Sequence, residues 1–245
     1  MLPRLVHQLK MKAEHHEFLN PRCLAATLDI YIARKSILEA LRSQLVNLSG
    51  TVLDVGCGYM PYKPLVLQSP SRVKTYIGID LHDNAYQRPD LEWDGHTLPV
   101  RNNSADCALA TEVFEHCPDP QRIMGEVLRV LKPGGVLFFT VPFLWPLHDV
   151  PQDEYRYTPF ALERLLKNAG FGQVQLKALG GWDASLAQMI GLWLRRRPMS
   201  APARAIFTRF AVPLVRYLSD YDVRPDEFYE SSMIIGVSGT AIKPV

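Results

Sequence analysis

The stretch TVLDVGCG, Thr51 to Gly58, decides how the rest of the chain is read. Thr51 to Val55 is a short apolar run carrying one acid, Asp54, and it breaks into Gly-Cys-Gly. An apolar run bounded by glycines reads as a buried strand, and a glycine turn at its carboxyl end lets backbone N–H groups approach a ligand with no Cβ in the way. The prolines of Tyr59-Met60-Pro61-Tyr62-Lys63-Pro64 then allow only a short helix, over Pro64 to Gln68. A second strand, Lys74 to Ile79, ends at Asp80, 22 residues after Gly58. An acid at that distance, on the tip of the neighbouring strand, is placed to take the two hydroxyls of a ribose.

Working outward, Trp93-Asp94-Gly95 reads as a polar loop and Ala105 to Ala110 as a third strand with Thr111 to His116 at its carboxyl end. Asp119-Pro120 starts a helix whose buried stripe is Ile123, Val127, Leu128 and Leu131, and Lys132-Pro133-Gly134-Gly135 stops it. Val136 to Val141 is apolar throughout, as in a central parallel strand covered on both faces. A loop dense in prolines, aromatics and ionisable groups runs to Tyr157, Thr158-Pro159 begins another helix ending at Gly170, and strands follow at Gln173 to Leu179 and Ser231 to Ile242. Ahead of the first strand, Leu24 to Leu48 has helical periodicity. Between the last two strands, Trp182 to Glu230 reads as a helical insertion. The pattern predicts an α/β class: a doubly wound sheet in one domain, 1–245, with a helical extension over 1–48 and an insertion over 182–230.

The 245 residues, 47% hydrophobic and 21% charged, suffice for one sizeable core. A net charge of +2 does not by itself point to nucleic acid. Cys23, Cys57, Cys107 and Cys117 form no C-x-x-C pair and read as reduced thiols of a cytoplasmic protein. No signal-peptide core and no run of roughly 18 apolar residues is found. His15-His16-Glu17 is read as a surface lead-in, and no metal centre is expected anywhere.

Gly-x-Gly after one strand and an acid after the next imply a nucleoside ligand. A dinucleotide would want a third glycine where Pro61 stands, and no basic residue lies inside the turn, so a ribose and adenine without phosphate fit better. VLDVGCG, GIDL, WDG, TEVFEHCPDPQRIMGEVLRVLKPGGVLFFTVP and the helix ending in Asn-Ala-Gly-Phe resemble the class I S-adenosylmethionine-dependent methyltransferases over about Leu48 to Leu179. The resemblance implies a Rossmann-like, mostly parallel seven-stranded sheet, S-adenosylmethionine as cofactor and methyl transfer as activity. Gly-Cys-Gly-x-x-Pro-Tyr with a later His-Asp…Asp-x-Tyr-Arg-Tyr-Thr is similar to variants associated with bacterial cell-envelope glycans, which implies O-methylation of a small molecule, sugar or lipid-linked glycan. Residue by residue, it implies that Gly56, Cys57 and Gly58 line the methionine part and Asp54 shapes the turn. Asp80 takes the ribose, Leu81 packs on adenine, Asp94 beside Gly95 accepts from the adenine amino group, and Glu112 and His116 border cofactor and acceptor.

An activated methyl needs chiefly alignment and exclusion of water, but an alcohol acceptor must also lose a proton. His148, mostly neutral at pH 7 and following a central strand, is the expected base, with Asp149 or Asp153 to orient it and Tyr155 and Arg156 to bind the acceptor. The alternative is that His148, Asp153 and Arg156 form a structural loop network. Six arginines and no acid lie between Gly191 and Tyr217, which leaves a lid, a homodimer surface or a peripheral membrane contact open for that segment, with its prolines expected to interrupt any long amphipathic face. Two other functions stay open: a non-catalytic S-adenosylmethionine-binding partner subunit, and an NAD-dependent dehydrogenase that Pro61 disfavours. Without a recognisable binding module, a nucleic-acid partner is not expected.

Overall fold

The structure is a computed structural model that describes residues 17–84, 86 and 88–245. His15 and His16 lie outside the described residues. The described residues form two compact units, one within 17–39 and 178–236, the other within 40–177 and 237–245.

The second unit is built on a seven-stranded sheet among the described residues. Its strands are β1 (Ser49–Val55), β2 (Arg72–Leu81), β3 (Leu91–Trp93), β4 (Ala105–Thr111), β5 (Leu131–Pro142), β6 (Gly172–Leu179) and β7 (Gly236–Ile242), in the order β3-β2-β1-β4-β5-β7-β6. β1 pairs in parallel with β2 and β4, β2 with β3, and β4 with β5. The chain crosses from one side of β1 to the other between β3 and β4, which makes the carboxyl ends of β1 and β4 the switch point where such sheets bind ligands. Phe138, Phe139, Leu109 and Leu53 are fully buried in the middle of these strands, as the unbroken apolar runs predict.

The helices start and stop as their end residues dictate. Pro64 lies in the four-residue helix α2 (Lys63–Val66), too short to extend the first strand's turn into a phosphate-binding helix. The Asp119 carboxylate accepts from the Arg122 N–H ahead of α3 (Pro120–Val130), and the Thr158 hydroxyl accepts from the Ala161 N–H ahead of α4 (Pro159–Ala169), which Gly170 ends at φ 103°.

Three strand boundaries differ from the sequence reading. Leu91–Trp93 is a strand where a loop is expected, because three residues are too few to show an alternating pattern, yet they pair with the tip of β2. β5 begins at Leu131: Leu131 pairs with Ala105 and Val136 with Cys107, and Lys132 to Gly135 bulge out between them, held by a 2.7 Å ion pair from Lys132 to Asp106. β7 starts at Gly236, and the buried Ile234 and Ile235 precede it.

The first unit holds α5 (Trp182–Arg196), α6 (Ala201–Asp220) and residues of α1 (Leu28–Gln44), whose last residues belong to the second. Asp222 sits on the amino end of α5, accepting from Gly181 N–H at 2.9 Å and Ala184 N–H at 2.9 Å. Gly191 lets α5 approach α1 so closely that a Cβ there would lie 2.1 Å from the Leu28 carbonyl oxygen. Pro213 sits inside the 20-residue α6 without ending it, so the prolines do not interrupt that amphipathic face.

The Phe139 ring is fully buried 5.7 Å from that of Phe114, joining β5 to the turn after β4. Phe139→Ala is expected to lower unfolding free energy by about 3–5 kcal/mol, read as the shift of the urea midpoint. A change below about 1 kcal/mol would contradict this packing.

Candidate functional site

The glycine turn is tied to the second strand by backbone and by one carboxylate. Gly56 N–H and Cys57 N–H both donate to the Ile79 carbonyl, at 2.8 and 3.1 Å. Asp80 continues that pairing past the strand end: Oδ2 accepts from Gly58 N–H at 2.7 Å and Oδ1 from Leu81 N–H at 2.8 Å. Gly56 and Gly58 both have positive φ, and a Cβ at Gly56 would lie 2.6 Å from Val113 Cγ2, so the turn tolerates no side chain at the first position. Burial raises the Asp80 pKa, and the two N–H donors partly oppose this.

Asp54 is buried in β1, two residues before Gly56, and accepts from the Tyr76 hydroxyl. Desolvation pushes its carboxyl up to about 7, which the Tyr76 bond only partly offsets. The Cys57 thiol is buried toward Gly78, leaving only its backbone to the turn. Leu81 is 40% exposed, and a Cβ at Gly95 would lie 3.5 Å from its Cδ2, so the β2 tip and the loop after β3 meet around one apolar side chain. Asp94 is exposed and caps its own loop through Oδ1, which accepts from His96 and Thr97 N–H at 2.7 Å each and thereby has a lowered pKa. Tyr86, which no sequence signal singles out, stacks edge-on against Tyr59 at 4.9 Å and faces Gly58. A backbone turn without cations, a strand-end carboxylate and an exposed leucine beside them fit a ribose and adenine.

At the ends of β4 and β5 lies a second group. Glu112 has φ 55° and its N–H donates to the Thr140 carbonyl, after which Phe114–His116 turns once as a 3₁₀ helix. Glu115 is buried and Glu112 half-buried, and loss of solvent raises the pKa of each, to about 7 for Glu112, while the charge of Glu112 raises that of Glu115 further. His116 Nδ1 lies 3.1 Å from the Gln152 carbonyl, and the His116 and His148 rings stand edge to face at 4.7 Å. Burial, and then the positive charge of a protonated His116, lower the His148 pKa.

Of the two acids expected to orient His148, the structure places Asp153 there: Oδ2 accepts from the His148 backbone N–H at 3.2 Å and lies 3.3 Å from Nδ1. Asp149 is exposed at φ 46°. Arg156 grips Asp153 at 2.6 and 2.8 Å, which depresses the Asp153 pKa, and also donates to the Tyr155 and Pro146 carbonyls. Its guanidinium therefore shapes the loop. Tyr155 stacks on Tyr157 at 5.3 Å and donates to the Pro118 carbonyl at 3.2 Å, leaving part of its ring exposed. Glu115 escaped the sequence reading because a glutamate beside a histidine in a loop looks solvated.

In the first unit, Trp182, Leu186, Met189 and Trp193 of α5 and Ile206, Phe207, Phe210, Leu214 and Tyr217 of α6 are exposed, and Trp193 meets Phe207 at 5.6 Å. Arg196 is paired with Asp29 at 2.7 Å, the Arg197 guanidinium lies 5.1 Å over the Trp193 ring, and Arg209 is exposed. Among the described residues, no helix is long and apolar enough to cross a membrane.

Residues 53–139 match a family model described as a methyltransferase domain. An uncharacterised methyltransferase of Mycobacterium bovis is 31% identical over 189 residues, covering 74% of this chain and 68% of that one. A phthiotriol/phenolphthiotriol dimycocerosates methyltransferase of Mycobacterium leprae is 34% identical over 134 residues, 49% of this chain and 47% of its own. The chain thus spans about a third to two thirds of the length of the curated relatives it matches. A structure of an S-adenosylmethionine-dependent methyltransferase from Archaeoglobus fulgidus superposes with TM-score 0.53 at 14% identity, covering 93% of this chain and 97% of that one, and supports the fold.

The buried Asp54 generates a prediction. Its folded pKa lies above the ordinary carboxylate value, so its contribution is full below about pH 4 and is lost as pH rises through about 7. Asp54→Asn, which cannot ionise, should gain in Tm relative to wild type by several degrees between pH 5 and pH 8. A Tm difference that does not change with pH would show that Asp54 ionises without hindrance.

Proposed function

The chain belongs to the class I S-adenosylmethionine-dependent methyltransferases, and from that premise we propose that it transfers a methyl group to a hydroxyl of a small molecule, sugar or lipid-linked glycan. The observation that carries this reading is the pairing of a cation-free turn closed by Asp80 with a half-buried His116–His148 pair at the ends of the adjacent strands. S-adenosylmethionine supplies an already activated methyl on a sulfonium sulfur. The backbone of Gly56 to Gly58 would hold its methionine part, Asp80 its ribose, and Leu81 with Gly95 its adenine, while Tyr86 closes over the turn. Asp94 would reach the adenine amino group through Oδ2. On the other side, Tyr155 would border the acceptor, whose hydroxyl proton goes to His148 as the C–O bond forms. The lowered His148 pKa keeps that imidazole neutral and able to accept.

S-adenosylhomocysteine should raise the Tm of the wild type, and Asp80→Ala should abolish that rise. Incubation with S-adenosylmethionine and glycoside or long-chain diol probes should yield S-adenosylhomocysteine. Binding without product across such a panel would favour the non-catalytic partner subunit, and no binding at all would sink the reading.

The exposed aromatic face of α5 and α6, flanked by Arg197 and Arg209, supports an anionic lipid surface as the first unit's partner. The Mycobacterium leprae relative, named for dimycocerosates of a triol, supports an acceptor that is a hydroxyl on such a surface. Phosphatidylglycerol vesicles should co-sediment the protein at low salt and release it at high salt. Phe210→Glu should weaken this binding, whereas wild-type protein that dimerises and ignores vesicles would assign the face to a second copy.

A further inference from the structure

Buried polar atoms without partners concentrate where β4 and β5 end. Among the described residues they include both carboxylate oxygens of Glu115, while Glu112 and Thr140 face each other beside them. Glu115 has no exposed surface at all, and an unpartnered buried carboxylate is costly enough that one calls for a ligand. One donor atom each from Glu115, His116 and His148 lies within 4.8 Å of the others. From these positions we propose that Glu115, His116 and His148 bind a divalent transition-metal ion whose open positions take the acceptor hydroxyl.

The geometry around the three residues leaves room for an ion among them. With its Nδ1–H donating to the Gln152 carbonyl, His116 turns a lone pair on Nε2 toward Glu115 Oε1, 3.8 Å away. That gap is too long for a hydrogen bond and leaves room for a cation between the two atoms. Asp153 stands at the Nδ1 side of His148 and is itself gripped by Arg156, an arrangement that leaves Nε2 of His148 available. Histidines on metals characteristically carry an outer acceptor on the other ring nitrogen, as His116 does in the Gln152 carbonyl. One carboxylate and two imidazoles form a donor set that suits Zn²⁺, Mn²⁺, Fe²⁺ or Co²⁺. Donors around such an ion lie roughly 3–4 Å apart, so the three side chains need close by only about 1 Å. Glu112, a second and half-buried carboxylate, adds the negative charge that favours a dication.

The inference rests on the reading that the acceptor is a hydroxyl, and it changes how His148 serves that reaction. The ion, rather than a free imidazole, would lower the pKa of the bound hydroxyl. As the oxygen attacks, the C–O bond forms and the C–S bond breaks with its electron pair left on sulfur. The proton departs to water, and the alkyl ether is released from the ion.

Untagged protein stripped with EDTA and titrated with Co²⁺ should develop visible absorption saturating at one equivalent, with Mn²⁺ or Zn²⁺ competing. Glu115→Gln and His148→Ala should each weaken Co²⁺ binding by at least about tenfold, and His82→Ala, on an exposed strand-end residue, should leave it unchanged. S-adenosylhomocysteine binding, measured on each variant, reports that the fold is kept. Absent stoichiometric Co²⁺ binding, or Co²⁺ binding indifferent to Glu115 and His148, overturns the cation site. Methyl transfer that persists in EDTA but falls in His148→Ala also overturns it and leaves hydroxyl methylation with His148 as base. Site-specific Co²⁺ binding without methyl transfer to any hydroxylated probe upholds the ion and sinks the hydroxyl reading.

Discussion

The carboxylate of Asp80, accepting from the N–H groups of Gly58 and Leu81, is the constraint on which the glycine turn depends. Parallel strands splay at their ends, where no further backbone partner exists. Asp80 supplies that partner and so holds a glycine turn, which has no side chains of its own to pack, in one conformation. The same bond requires the carboxylate to sit in a mostly buried place, and its raised pKa is the sign of that compromise. Tyr76 stands in the same relation to Asp54 deeper in the sheet.

Much of this was legible in the residues. The glycine turn, Asp80, the N-caps Asp119 and Thr158 and the apolar run of β5 are local signals, set by backbone conformation or by period, and the structure follows them. What escaped reading depends on distant partners. The strand Leu91–Trp93 exists because β2 offers it an edge, and β5 begins early because Asp106 anchors Lys132 across a bulge. His148 could be singled out from its place after a central strand, but choosing Asp153 over Asp149 needed the turn that aims one carboxylate inward and the other at solvent. Arg156 reads as an acceptor ligand, and the structure adds hydrogen bonds by which it holds the loop. Glu115 could not be separated from a surface glutamate until its burial was seen.

The two halves of the site solve opposite electrostatic problems. Around the glycine turn, carboxylates meet N–H and hydroxyl donors, so the turn is complete within the protein. Around Glu115, carboxylates and imidazoles gather with too few donors among the described residues, and the outer acids and carbonyls hold the rings rather than neutralise them. Burying Glu115 beside a second carboxylate lowers stability, a disadvantage that a fold retains most readily where a ligand reverses it.

The strand order has an evolutionary corollary. The residues proposed for the nucleoside hang from β1, β2 and β3, and those proposed for the acceptor from β4 and β5, so the sheet itself sorts them to opposite sides of one seam. Insertions or substitutions in the segment from Phe143 to Tyr157 can therefore remodel what is modified while leaving the donor's cradle untouched. A scaffold partitioned in this way can drift toward new acceptors one loop at a time, and chimaeras cut along the β1–β4 seam would inherit each half intact.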